Sequence, residues 1–530
     1  MHVPSSKSAF AIGTGLPPNG NDCRPWFGVA LALAIVLVIP FFLVDVPPVL
    51  DYPNHLARYF VLAHPDDAIL SQMYAPHWTI LPNLGMDAIG AVMLRMTDVH
   101  VGGRILLALS LFAPVIGVVV YNRVVFGRYS YWSLASGLTA YNGAFFLGFM
   151  NFLLSLGVAL IGGAAWIALS RRKWVLGKIA VGAFAAVLIF FCHVFGVFLF
   201  ALLIGGDEID RLWKCRSSGA LRLRDVVCTV GMLFAAISPA MVLYFLSPLA
   251  EGTLSGGEWR GLAKLWMIFA PFMTPSAELT LMTGIAVVSL LILIRRYVQL
   301  APGMPLVFIV LVFAFVVAPS TVKGGTFVDL RFAVMIGLLL FAGMQPRRLP
   351  LPTMLVVAIG ALVVLRSSFI GMMWFDHRHD LADVRAALAL VEPGARVIVA
   401  RGKPGHLTDV QPPERALPGL YRLDGHIAAL LVIERHAFWP LLFADSTQQP
   451  LIVKPPFDQI AQPLSEPVEW PLLGEESYSA ETLRSARYLS HWRASFDNVL
   501  LIDPVPSAGT PRGLLPAYRG PYAQLFRIEH

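Results

Sequence analysis

The sequence predicts a polytopic α-helical membrane protein of about eleven transmembrane helices, followed by a C-terminal extracytoplasmic α/β domain. Three observations carry this. Of 530 residues, 57% are hydrophobic and only 14% charged, whereas soluble proteins hold roughly a quarter charged residues. Apolar runs of about twenty residues recur, the length a helix needs to cross a hydrocarbon core of roughly 30 Å. After residue 375 those runs stop, and charges, prolines and histidines become frequent.

Residues 1–26 are polar and rich in Pro, Gly and Ser, and read as a cytoplasmic tail. The transmembrane domain occupies 27–374. Its first run, 27–45, follows Lys7 and Arg24 and ends in "FFLVDVPP" without a small-x-small cleavage site, so it reads as an uncleaved outward anchor. A long first outer loop with helical patches covers 46–103. The second run, 104–121, returns to Arg123 and Arg128. A tight hairpin around "YNGAFFLGFMNF" (141–152) supplies the third and fourth, and a second hairpin near "FFCHVFG" (190–196) the fifth and sixth. Runs near 225–246, 279–294, 305–318, the segment after "GGTFVDLRF", and 351–366 complete the set. Each inferred inner turn carries Lys or Arg, as in "SRRKW", "IRRYV" and "QPRRLP". That bias puts the N-terminus inside and the C-terminal domain outside a plasma (inner) membrane.

In residues 375–530, "ARVIVARG", "PLIVKP", "NVLLIDP" and "AQLFRIE" read as short buried strands. "HDLADVRAALALVEP" and "HIAALLVIERHAFWPLLFA" have apolar residues at helical spacing. Alternating strands and helices make a small α/β domain.

The net charge of +7 is spread over short loop clusters, which argues against a nucleic-acid groove. Four cysteines, none beyond Cys228, offer neither a disulfide framework nor a zinc pair. Walker, HExxH and Rossmann glycine patterns are absent. A nucleotide-driven pump is therefore disfavoured.

Ionisable groups at membrane depth cost roughly 2.5–3.5 kcal/mol each, so those present are expected to face a cavity or one another. On the predicted outer side the ionisable residues are Asp51, His55 and Arg58 in "LDYPNHLAR", His193, and Lys323, Asp329 and Arg331, with the polar Asn142 and Asn151 around the hairpin. Asp51 suits a general base, and its place before Tyr52-Pro53 also suits a helix cap. Arg58, Lys323 and Arg331 suit a phosphate. His55, Asn142, Asn151, His193 and Asp329 complete a substrate-binding set. Asp66 and Asp67 read as a helix start. A divalent cation on the acidic residues is the one cofactor left open.

An acidic residue just after the first helix, a long first outer loop and an outer C-terminal domain together resemble the GT-C superfamily of glycosyltransferases. Asp51 stands in the matching place, although Tyr52 follows where many members have a second acid nearby. The chain is also similar to bacterial membrane proteins with stretches like "YNGAFFLGFMNF" and "HAFWPLLFADSTQQPL". The resemblance implies transfer of a sugar from a polyprenyl-phosphate donor to a glycan, lipid or protein acceptor of the cell envelope, on the outer face. A lipid-linked glycan transporter or polymerase, or a non-enzymatic envelope assembly protein, is the alternative.

Overall fold

A computed structural model describes residues 24–251, 257–259, 261–322, 325–347, 352–402, 412–505 and 509–529. The bundle contains α1 (Arg24–Val38), α4 (Val99–Phe126), α5 (Met150–Arg171), α6 (Val175–Cys192), α7 (Val194–Ser217), α8 (Leu223–Leu246), α9 (Ala277–Ile294), α10 (Met304–Val317), α11 (Val328–Ala342) and α12 (Pro352–Leu388). Two further helices, α2 (Tyr52–Ala63) and α3 (Gly85–Met93), lie between α1 and α4. Among the described residues, seven helices are long and apolar enough to cross a membrane: α1 with its continuation to Phe42, α4, α5, α6, α8, α9 and α12. Large apolar side chains such as Phe184, Phe234, Phe245 and Phe313 point outward. That arrangement is stable where lipid replaces water around the bundle. The polytopic membrane class therefore holds.

Helices α4 and α5 meet at their glycines. A Cβ on Gly157 would come within 2.4 Å of the Ala113 carbonyl oxygen, and one on Gly117 within 2.8 Å of the Gly157 oxygen. Small residues there let two backbones approach where lipid offers no hydrophobic drive.

The third predicted crossing is not one helix. Residues 131–146 form short helical turns, Tyr131–Leu134, Ala135–Thr139 and Gly143–Phe146. Trp26 donates to the Ser130 carbonyl and Tyr141 to that of Leu37, so this segment runs beside α1 along most of its length. Its sequence explains the tight winding. Ser133, Ser136, Thr139 and Asn142 each donate a side-chain hydrogen bond to the carbonyl three residues earlier. Polar residues at a period of three satisfy carbonyls that an α-helix would pair with the backbone, and a three-fold winding stacks them on one edge.

Beyond the bundle, β2 (Val397–Arg401), β4 (Val468–Glu469), β5 (Asn498–Ile502), β6 (Leu514–Arg519) and β7 (Ala523–Ile528) form one sheet in the order β6-β7-β5-β2-β4. β2 runs parallel to β4 and β5, while β7 is antiparallel to β5 and β6. "PLIVKP" becomes β3 (Leu451–Val453), which pairs instead with β1 (Tyr74–Pro76) of the first long loop. The helix expected over 426–444 ends at Arg435, where His436 adopts a positive φ of 49°.

The change in composition near residue 375 falls inside α12. Thirty-seven helical residues reach about 55 Å at ~1.5 Å each, well beyond a hydrocarbon core of ~30 Å. Its last turns dock against the sheet. Asp383 accepts from the Tyr522 and Ala523 amides and the Tyr518 hydroxyl. Asn54 of α2 exchanges two hydrogen bonds with the Leu441 carbonyl and the Phe443 amide. The first loop and the sheet domain thus form one layer over one end of the bundle.

Candidate active site

Under that layer lies a cavity of about 480 Å³ whose lining comes from both halves of the chain. Asp51 is held at its wall by backbone. The amides of Leu50 and Asp51 donate to the carbonyls of Phe146 and Leu147. Gly148 turns beneath them with φ of 84°, and a Cβ there would sit 2.8 Å from the Asp51 Cβ. The hairpin "YNGAFFLGFMNF" is therefore the seat of Asp51. Asp51 occupies the residue before α2, yet its side chain caps nothing. Its carboxylate faces the cavity instead, with Oδ1 3.2 Å from His426 Nδ1.

His55, one turn further, also lines the cavity. Arg58 Nη2 lies 3.0 Å from His55 Nδ1. A guanidinium only donates, so Nδ1 accepts and the imidazole proton sits on Nε2. Burial, then the charge of Arg58 and the neighbouring His426, holds the His55 pKa well below its usual value. His55 is a neutral hydrogen-bonding group.

Arg58 itself does not line the cavity. Its Nε and Nη2 grip Asp87 at 2.5 and 3.2 Å, and the pair is almost fully buried. The phosphate-binding expectation for Arg58 gives way to a buried ion pair with a residue 29 positions on. Asn142 is likewise consumed, accepting from the Phe145 amide and donating to the Thr139 carbonyl. Asp329 is fully buried, receives the Ser320 hydroxyl, and does not line the cavity. Lys323 lies outside the described residues. Asp67 accepts from the Ile69 and Leu70 amides, as a helix start should.

Three predicted residues from the bundle do line it. Asn151 reaches the cavity, while its amide group bridges the Asn83 carbonyl and the Met86 amide and so fixes the start of α3. His193 accepts the Phe195 amide on Nδ1, which leaves its Nε2–H available to a ligand. Arg331 enters at the first turn of α11 between Phe149, Phe195 and Phe152, whose ring centres lie 4.6, 5.3 and 5.8 Å from its guanidinium carbon. No described residue hydrogen-bonds to the buried Arg331 Nε. The aromatic faces stabilise the cation but leave its donors unsatisfied.

The sheet domain completes the opposite wall with Arg401, Tyr421, Arg422, His426 and the Gln448-Gln449 pair. Sequence reasoning did not select these. The one available signal is the density of arginine and acid in "VIVARG" and "YRLDGH". Arg422 grips Asp424 and Asp503, Arg415 bridges Asp503 to Asp380 on α12, and Tyr522 donates to Asp424. Burial opposes ionisation of Asp424, but Arg422, Arg401 and the Tyr522 hydroxyl overcome it and hold its pKa at about 2. This chain of charges is a brace for the wall.

Among the described residues, no group of three His, Cys, Asp or Glu side chains converges on one point. The donor set of the described residues therefore does not fit a divalent cation bound by protein ligands alone.

No family model and no curated protein matches the chain. A solved structure, that of ArnT from Cupriavidus metallidurans bound to undecaprenyl phosphate, is similar to it at 12% identity with a TM-score of 0.49. The similarity spans 95% of this chain and 98% of that one.

Proposed function

We propose that the protein is a membrane glycosyltransferase that moves a sugar from a polyprenyl-phosphate donor to an acceptor hydroxyl in the cell envelope, on the outer face. The observation that carries this reading is the meeting of Asp51 and Arg331 in one cavity at the end of the bundle. Asp51 and Asp329 are the carboxylates whose charge reaches Arg331. A carboxylate and an unsatisfied guanidinium so placed suit displacement of a phosphate at a sugar carbon. Asp51 takes the proton from the acceptor hydroxyl as that oxygen bonds to the anomeric carbon. The carbon–oxygen bond to phosphate breaks, and the phosphate leaves with the electron pair. Arg331 stabilises the charge that grows there, which favours the transition state over the bound substrate. His193 Nε2–H hydrogen-bonds the sugar, and neutral His55 forms the wall beside Asp51. The isoprenoid tail of the carrier lies between helices of the bundle, with its phosphate at Arg331. The positive-inside pattern supports placing this layer outside.

The test is complementation of a deletion strain, read as envelope glycans, with wild type and Asp51→Asn expressed to equal levels. The carboxamide keeps the volume of Asp51 and accepts no proton, so glycan transfer is expected to be lost. Full restoration by Asp51→Asn refutes the assignment.

A further inference from the structure

The cavity holds a second cationic pole that the proposed transfer does not use. Arg401 closes β2 with its side chain 4% exposed. No described residue hydrogen-bonds to its buried Nε. Its nearest carboxylate, Asp424, is 4.0 Å away and already receives Arg422 Nε, Arg422 Nη2 and the Tyr522 hydroxyl. Leaving a buried guanidinium so poorly matched is costly unless a ligand supplies the acceptor. Arg401 lines the cavity on the sheet-domain wall, whereas Arg331 enters from α11. A Cβ on Gly425, beside the Asp51 partner His426, would lie 3.5 Å from Arg401 Nη2 and 2.8 Å from Leu50, the residue before Asp51. Arg401 thus borders the Asp51 end of the cavity. That is the side from which an acceptor hydroxyl must approach.

We infer that the acceptor carries an oxyanion, a carboxylate or a phosphate, and that Arg401 binds it through its planar fork and so selects anionic over neutral acceptors. The inference rests on the donor reading of Arg331, because that reading gives the sheet-domain wall to the acceptor. A forked donor set matches either oxyanion in two parallel hydrogen bonds, which a neutral hydroxyl cannot return.

The test uses the full chain in lipid nanodiscs and calorimetric binding of methyl glucuronide, glucose 6-phosphate and neutral methyl glucoside, with undecaprenyl phosphate titrated separately. Wild type should prefer one anionic sugar to the neutral one by about tenfold or more, and the preferred probe identifies carboxylate or phosphate. Arg401→Gln should erase that preference while leaving undecaprenyl phosphate affinity unchanged. Arg331→Gln should do the reverse. Arg401→Lys keeps the charge and loses the fork; it should weaken the anionic sugar severalfold and serves if the glutamine variant fails to fold. Equal binding of all three sugars, no sugar binding at all, or an anion preference that survives both Arg401 variants overturns the inference. Absence of undecaprenyl phosphate binding in wild type, with the anion preference intact, instead overturns the donor reading.

Discussion

Replacing Asp87 with alanine is expected to destabilise the protein by about 3–5 kcal/mol, because it strands a buried cation. Arg58 is 2% exposed and Asp87 1%, and two guanidinium nitrogens are committed to the carboxylate. Nη1 of Arg58 already has no described partner. Without Asp87, the weak acceptor His55 is the only side-chain hydrogen-bond partner left to Arg58 among the described residues. The control is Asp210→Ala, which breaks a pair at 2.5 Å whose lysine, Lys214, is 68% exposed. Water screens that pair, and its loss should cost about 0.3–0.5 kcal/mol. Both variants are compared with wild type by denaturant unfolding in mixed micelles, under conditions where refolding is reversible. The double variant Arg58→Met with Asp87→Leu removes both charges and should recover much of the loss. If Asp87→Ala falls within about 1 kcal/mol of Asp210→Ala, the burial argument for this pair is wrong.

Further outcomes follow from the same geometry. Gly148→Ala puts a methyl group 2.8 Å from the Asp51 Cβ at a φ of 84°; it should cost about 1–3 kcal/mol and lower transfer by more than it lowers expression, read by glycan assay against protein level. The depressed pKa of His55 means that the unfolded chain takes up its proton first as pH falls. Its contribution to stability is thus fully present above about 6.5 and is lost progressively below that value. Unfolding midpoints measured across that range should show the slope in wild type and a reduced slope in His55→Gln. Equal slopes would show that His55 is not held neutral.

Much of the plan was legible in order along the chain. Long apolar runs report helices in lipid because backbone groups there must pair within the segment; about eleven crossings are expected, and seven of the described helices are long and apolar enough to cross. The cost of charge at membrane depth picks out Asp51, His55, His193 and Arg331, which line the cavity, but equally Arg58 and Asp329, which do not, and Lys323, outside the described residues. The period-three polar ladder of residues 130–142 is equally visible in the sequence, but its apolar content alone predicts an ordinary crossing. Its tight winding follows from side chains that compete for carbonyls.

What the sequence by itself determined is which stretches bury themselves in lipid and which polar residues are too costly to stand there alone. Only the tertiary structure decided their partners. Arg58 and Arg331 look alike as interfacial arginines, yet Asp87 claims the first, and three phenylalanines surround the second without satisfying its donors. His426 and Arg401 reach Asp51 and its surroundings because α12 and the β1–β3 pairing fold the sheet domain back over the first loop. Periodicity is a local property, set by backbone geometry over a few residues. The pairing of a buried charge is settled by whichever opposite charge or ring the whole chain brings within a few ångströms.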